Sequence, residues 1–295
     1  MKQFLLKIGL FAIMFFIIDK GFYYVIDYLP SKQPDRRLEY LMDGKINADI
    51  LILGSSRAAH NVMAEEMQKQ TQMSTHNLGF RGTNIDFHLF ILKNYLAKNI
   101  KPKKIIYVAN VPFMFDKSAL VFRTNVLRPF VKYPEFRNVL IQKKELSLLA
   151  EFLNLSCFSF STATKKENIT IENFTTKLGS NPLPVKEYEG VGENFTANKK
   201  HTISNHLIKQ FIEIQTISKN NNIQFFLVIP PNNEKLDTVF VETIKNNLIP
   251  NSRFYCYKDN YTTAGNSYFY DISHLNKNGA IVFTTEISTF INQNK

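Results

Sequence analysis

The sequence predicts an α/β protein, a three-layer sandwich around a central parallel sheet, preceded by an N-terminal transmembrane helix. Three observations carry that expectation. Short aliphatic runs at 50–53, 105–109 and 223–229 alternate with stretches of helical apolar spacing, and strand, helix, strand in repetition is the signature of a parallel sheet with right-handed crossovers. None of these runs alternates polar with apolar residues, so each reads as a strand buried on both faces. Residues 4–29, finally, are apolar apart from a few charges.

The N-terminal segment sets Lys2 and Lys7 before an apolar run from Ile8 to Ile18, interrupted by Asp19-Lys20 and followed by a second run at 22–29. The first run alone is shorter than the roughly 20 residues a span needs, but residues 4–29 reach that length if the Asp-Lys pair lies at an interface. Residues 1–30 therefore read as a single-pass membrane anchor. A cleaved signal peptide is the main rival reading, yet no small-x-small cleavage signal follows the apolar core; an amphipathic interfacial helix is disfavoured because no polar face is evident. Basic residues on its two sides balance, so charge leaves the orientation open. Residues 31–47 form a connector, and 48–295 the α/β domain.

Within that domain the expected elements are a strand at 49–54, a helix within 57–71, a strand at 75–79, a helix at 84–96 and a strand at 105–109. Five prolines then divide residues 111–201, where one helix near 136–155 and a polar stretch from 159 to 200 stand out. A connection this long is an insertion, either a lid or partner-docking surface or a variable surface excursion. Its Asn-x-Ser/Thr triplets at Asn154, Asn168, Asn173 and Asn194 are not read as glycosylation sites in so Asn-rich a chain. The core pattern resumes with a helix at 203–219, a strand at 223–229 closed by Pro230-Pro231, a helix at 233–247, a strand at 254–257 and a closing helix at 281–291.

Composition narrows the function classes. The 295 residues are 44% hydrophobic, which suits a chain with a real core and not a disordered one. The net charge of +11 comes from single or paired basic residues, a solvated surface with no basic block that would bind nucleic acid. Two cysteines, Cys157 and Cys256, make no metal spacing and no disulfide framework, and two unpaired thiols are expected. No Walker motif, GxGxxG or clustered His/Cys/Asp set occurs, so neither metal nor cofactor is expected.

The chemistry-bearing residues lie at two distant places. At 48–57 a buried strand ends in Gly54-Ser55-Ser56, where a strand hands over to a helix at the carboxyl edge of the sheet, the usual ligand edge of an open α/β fold. On this stretch alone, a helix-capping serine and a nucleophile are both admissible readings. Downstream, Asp271-Ile-Ser-His274 sets a carboxylate three residues from an imidazole, a spacing that lets the carboxylate orient the ring and the ring deprotonate a serine. His60, four residues past Ser56, reads as structural, pointing back over its own turn.

Together, Gly54-Ser55-Ser56, Asn77-Leu-Gly-Phe-Arg-Gly82 and Asp271-Ile-Ser-His274 resemble the blocks of the SGNH (GDSL-like) hydrolase superfamily over about residues 48–113 and 205–291. The resemblance implies an SGNH/flavodoxin-like fold, with Ser56 as nucleophile, His274 as base and Asp271 as its orienting acid. It also implies an oxyanion hole from the Ser56 and Gly82 backbone N–H groups, with Asn110 as a third donor. The third block departs from the family pattern, since Asn110 stands without the usual glycine and aspartate; it either replaces that block's Asn or is a turn residue. Anchored SGNH-like proteins that help acylate surface polymers show similar departures. The implied function is a serine esterase or O-acyltransferase on acyl esters of a bacterial cell-envelope polysaccharide, working on the outer face of the membrane beside a membrane-bound acyltransferase. The alternative is a non-catalytic, membrane-anchored glycan-binding or assembly protein on the same fold.

Overall fold

A computed structural model describes residues 1–111, 113–157, 175–186, 188, 203–233, 236–258, 261 and 265–294. The polar stretch at 159–200, apart from 175–186 and 188, and the triplets at Asn168, Asn173 and Asn194 lie outside the described residues. The chain forms two compact units, one made of Met1–Met42 with Arg123–Asn168 and the other of Asp43–Phe122 with Ile169–Lys295. The segment expected as an insertion is thus shared between them.

The larger unit holds a five-stranded, wholly parallel sheet: β1 (Ile50–Gly54), β2 (Thr75–Gly79), β3 (Lys104–Val108), β4 (Gln224–Ile229) and β5 (Arg253–Cys256). Its order is β2-β1-β3-β4-β5, the doubly wound arrangement in which the chain reverses direction between β1 and β3 and leaves a crevice at their carboxyl ends. The two strands are in register, Gly54 against Val108, so whatever follows each strand meets there. Every residue of β1, β2 and β3 is buried, as the unalternating apolar runs of β1 and β3 require; β2 also buries Thr75, His76 and Asn77. Ile50, Ile52, Ile106, Val108, Phe226 and Val228 pack with Met67, Phe283, Ile287 and Ile291 on one face of the sheet. On the other, Tyr107, Phe225 and Phe211 meet at ring-centroid distances of 5.6 to 6.1 Å.

Several elements differ from expectation for visible reasons. The helix expected within 57–71 is two helices, Ser56–Asn61 and Ala64–Thr71. Between them the backbone at 62–64 is taken by side chains: Asn77 Nδ2 donates to the Val62 carbonyl at 2.9 Å, and the Met63 and Ala64 N–H groups go to Thr284 Oγ1 and Ser180 Oγ. The closing helix runs Lys277–Gln293, earlier than expected, because Asn276 caps it by accepting from Gly279 N at 3.1 Å. Asp237 caps Thr238–Asn246 in the same way. Cys157 and Cys256 are free.

In the smaller unit a helix of 27 residues, Lys2–Tyr28, leads the chain. Among the described residues no helix is long and apolar enough to cross a membrane. This corrects the expected transmembrane helix: the charges at Lys7, Asp19 and Lys20 leave only Ile8 to Ile18 uninterrupted, about 16 Å of helix against a hydrocarbon core of about 30 Å. The helix expected near 136–155 ends at Gln142, where Lys144 takes a left-handed φ of 60°. Two 3-10 turns follow, Leu148–Glu151 and Asn154–Cys157, the first capped by Ser147 Oγ.

Candidate active site

β1 delivers the first residue of the site through a turn that only glycine makes comfortably. Gly54 has φ +146°, and a Cβ there would lie 2.7 Å from the Val108 carbonyl oxygen and 2.9 Å from Ala58 Cβ. The chain therefore turns sharply off β1, setting Ser55 at the N-cap and Ser56 at the first position of the helix Ser56–Asn61. The Ser55 side chain does not cap that helix; it is buried and accepts a hydrogen bond from Asn110 Nδ2 at 2.9 Å. Since Asn110 follows β3, this bond joins the two carboxyl ends at the switch point of the sheet.

Ser56 Oγ lies 2.9 Å from His274 Nε2. The opposite ring nitrogen, Nδ1, is 2.8 Å from Asp271 Oδ2 and 3.0 Å from Oδ1. A carboxylate accepts, so Nδ1 carries the proton and donates to Asp271, while Nε2 offers its lone pair to the Ser56 hydroxyl. Asp271 and His274 sit in a tight turn ahead of the helix Lys277–Gln293, closed by a bridge between Phe269 and Leu275. Within it Asp271 Oδ1 also accepts from the Ser273 and His274 N–H groups, each at 2.8 Å. Burial alone would raise the Asp271 pKa; the hydrogen bond and charge of His274, with the two N–H groups, outweigh it and hold the carboxyl at about 2.

Three positioning residues were not singled out by sequence reasoning, or were given no such role. Asn61, fully buried, accepts from Leu275 N at 3.0 Å, tying the helix behind Ser56 to the residue after His274. Asn77, the first residue of the second motif, donates to the Ala58 and Val62 carbonyls and accepts from Gly79 N at 2.8 Å, holding that helix on β2. His60 packs edge-on to His274 with centroids 5.3 Å apart at 90°. Its Nδ1 donates to the Asn181 carbonyl at 2.6 Å, and burial drops its pKa to about 3. It is a neutral wall against the second imidazole. The expectation that it does not face the Ser56 hydroxyl fits this position, but its contact with His274 had no signal in the spacing.

Gly82 lies three residues past β2 with φ +67°, and its carbonyl accepts from Val121 N. Beside Ser55 and Asn110 is a small hollow of about 10 Å³, walled by Ile85, Val108, Met114 and Leu120 and floored by His88 and Tyr107. That volume suits a single water- or methyl-sized group. The floor is fully paired. Thr83 Oγ1 donates to the Phe80 carbonyl and accepts from His88 Nε2 at 2.9 Å, so Tyr107 donates to His88 Nδ1 at 2.8 Å. Burial keeps His88 neutral, with a pKa of about 3, and pushes Tyr107 up.

No family profile matches the chain, and no curated protein matches it. Among solved structures it is similar to an acetyl xylan esterase, Est2A, from the rumen bacterium Butyrivibrio proteoclasticus, at 10% identity and a TM-score of 0.37. The match covers 83% of this chain and spans 63% of that chain's length. A likeness at this level carries no argument about function, which rests on the residues above.

Proposed function

We propose that the protein is a serine esterase or O-acyltransferase acting on short acyl esters of a bacterial cell-envelope polysaccharide. The observation that carries this reading is the unbroken chain from Ser56 Oγ through His274 to Asp271, at 2.9 and 2.8 Å. In the reaction, Ser56 Oγ attacks the ester carbonyl carbon while His274 Nε2 takes its proton. The oxyanion is met by the Ser56 and Gly82 backbone N–H groups and by the Asn110 Nδ2 hydrogen not given to Ser55. Collapse breaks the bond to the leaving alkoxide, which recovers the proton from His274 and leaves an acyl ester on Ser56. Water then releases the acid, or a glycan hydroxyl takes the acyl group, with His274 again passing the proton.

Two further features support the substrate class. The hollow lined by Ser55 and Asn110 has room for a methyl-sized group; taken as the acyl pocket because Ser55 precedes Ser56, it favours an acetyl ester over longer acyl chains. The helix Lys2–Tyr28 leaves Phe4, Leu5, Phe11, Ile13, Phe16 and Ile17 exposed, a surface suited to the apolar layer of a membrane, and the net charge of +11 suits an acidic polymer at its outer face. A membrane-bound acyltransferase would be the acyl source for transfer. The test is hydrolysis of aryl esters by the full chain in detergent, with surface-glycan O-acyl content read by NMR in a deletion strain complemented with wild type or Ser56→Ala. Acetyl should be preferred over butyryl and octanoyl, and the deletion and the Ser56→Ala strain should share an altered O-acyl content. No turnover with any ester and unchanged acylation in both strains would favour the non-catalytic glycan-binding alternative.

A further inference from the structure

The smaller unit carries an apolar feature that the proposed active site does not use. Leu148, Leu149 and Phe152 are 70%, 57% and 73% exposed, packed into and just after the 3-10 turn Leu148–Glu151. Large apolar side chains exposed singly need no explanation, but three within one turn form a patch. The 3-10 turn that follows this patch, Asn154–Cys157, is joined to the N-terminal helix. Asp19, fully buried at the end of the apolar run, accepts from Leu155 N at 2.9 Å, and its backbone carbonyl accepts from Asn154 Nδ2 at 3.2 Å. A charged residue inside an apolar helix is costly unless paired. Here it is used to fasten the second 3-10 turn to the helix where the exposed apolar stretch stops.

We infer that the 148–152 tip is a second membrane contact, which dips into the interface of an anionic bilayer beside the inserted helix. This rests on the proposed membrane seating of residues 4–18. Two arguments favour lipid over a protein partner. The tip belongs to the same compact unit as the exposed apolar run Phe4 to Ile18, and the nearby charges are mostly basic: Lys143 and Lys144 are exposed shortly before the tip and Lys20, half exposed and paired with Asp19, holds its Nζ 5.3 Å above the Phe16 ring, against the exposed acid Glu151. Apolar side chains with basic residues at their rim are the pattern of an interfacial anchor on acidic headgroups. The arrangement also answers the shortness of the apolar run, since a helix of limited insertion depth gains a second foothold.

The chain contains no tryptophan, so a single introduced one reports without background. Phe152→Trp and, separately, Phe15→Trp are made in the full chain and reconstituted into phosphatidylglycerol-rich vesicles whose acyl chains are brominated. Both tryptophans should shift to the blue and lose emission to the bromines, and the Phe152→Trp signal should weaken in purely phosphatidylcholine vesicles. Quenching at Phe15→Trp without quenching at Phe152→Trp overturns the tip contact and leaves the helix seated in lipid. A blue shift at Phe152→Trp that bromines leave untouched means protein covers the tip, a second copy included, and also overturns it. Loss of quenching at both positions removes the membrane reading itself.

Discussion

At the residue scale, every heteroatom in the Ser56, His274 and Asp271 path has one role imposed by its neighbour. Asp271 only accepts, so His274 Nδ1 must donate, and Nε2 is left as the base facing Ser56. Asp271→Asn reverses this logic, because an amide that donates toward Nδ1 favours the wrong tautomer. The expected result is a fall in ester turnover on the order of 10⁴-fold, with KM for the ester little changed. The same carboxyl has a folded-state pKa of about 2, below its ordinary value of 3.8. A depressed pKa means that the ionised form stabilises the fold above about pH 4, and that this contribution is lost as pH falls toward 2. Melting temperature measured between pH 5 and pH 2 should therefore fall more steeply for wild type than for Asp271→Asn; parallel curves would contradict the assignment. His60 belongs to the same scale. Its low pKa keeps a second positive charge away from the imidazolium that the proposed reaction would form on His274.

At the scale of elements, the site depends on how closely the turn carrying His274 sits on the helix Lys277–Gln293. A Cβ on Gly279 would collide with the Tyr268 carbonyl oxygen and come within 2.9 Å of Tyr268 Cβ, and Tyr268 O also accepts from Asn276 N at 3.0 Å. Gly279→Ala should push the 268–276 turn outward, lowering turnover by weakening the Ser56 to His274 contact while leaving the sheet intact. Ester kinetics with far-ultraviolet circular dichroism would check this; wild-type turnover would contradict it. The elements also show what a linear reading captures. Continuous apolar runs named β1, β3 and β4 nearly residue for residue, since burial on both faces leaves a strong local signal, while β2 (Thr-His-Asn-Leu-Gly) and the half-buried β5 were placed by their position in the alternation of strands and helices. The break at Val62 and the contact of His60 with His274 left none, because both depend on partners far along the chain, among them Asn77, Ser180, Asn181 and Thr284; the end of the helix at Gln142 is a local left-handed turn at Lys144, a residue that does not announce one.

At the scale of the whole molecule, the strand order puts the carboxyl ends of β1 and β3 side by side at the switch point. The chain can thus bring Ser56 and His274, separated by 218 residues, to one edge of a sheet. Both residues stand in short motifs that are visible in the sequence, each with its own fixed local surroundings wherever the chain returns. Asn110 was legible only as a position; its bond to Ser55 is a product of topology. The smaller unit was least legible, since pairing residues 1–42 with residues beyond 122 leaves no periodic trace, and the role of Asp19 in fastening them reads from sequence only as an interruption.

The central claim is that Ser56 is a nucleophile activated by His274, and covalent labelling tests it most directly. The folded full chain is treated with a tagged fluorophosphonate, digested, and the adduct located by mass spectrometry, in wild type and in Ser56→Ala, Ser55→Ala and His274→Ala variants. The structure predicts an adduct on Ser56 that vanishes in Ser56→Ala, is strongly slowed in His274→Ala and largely survives in Ser55→Ala. An unmodified Ser56 in the folded wild-type protein, or an adduct that persists in Ser56→Ala, would contradict it.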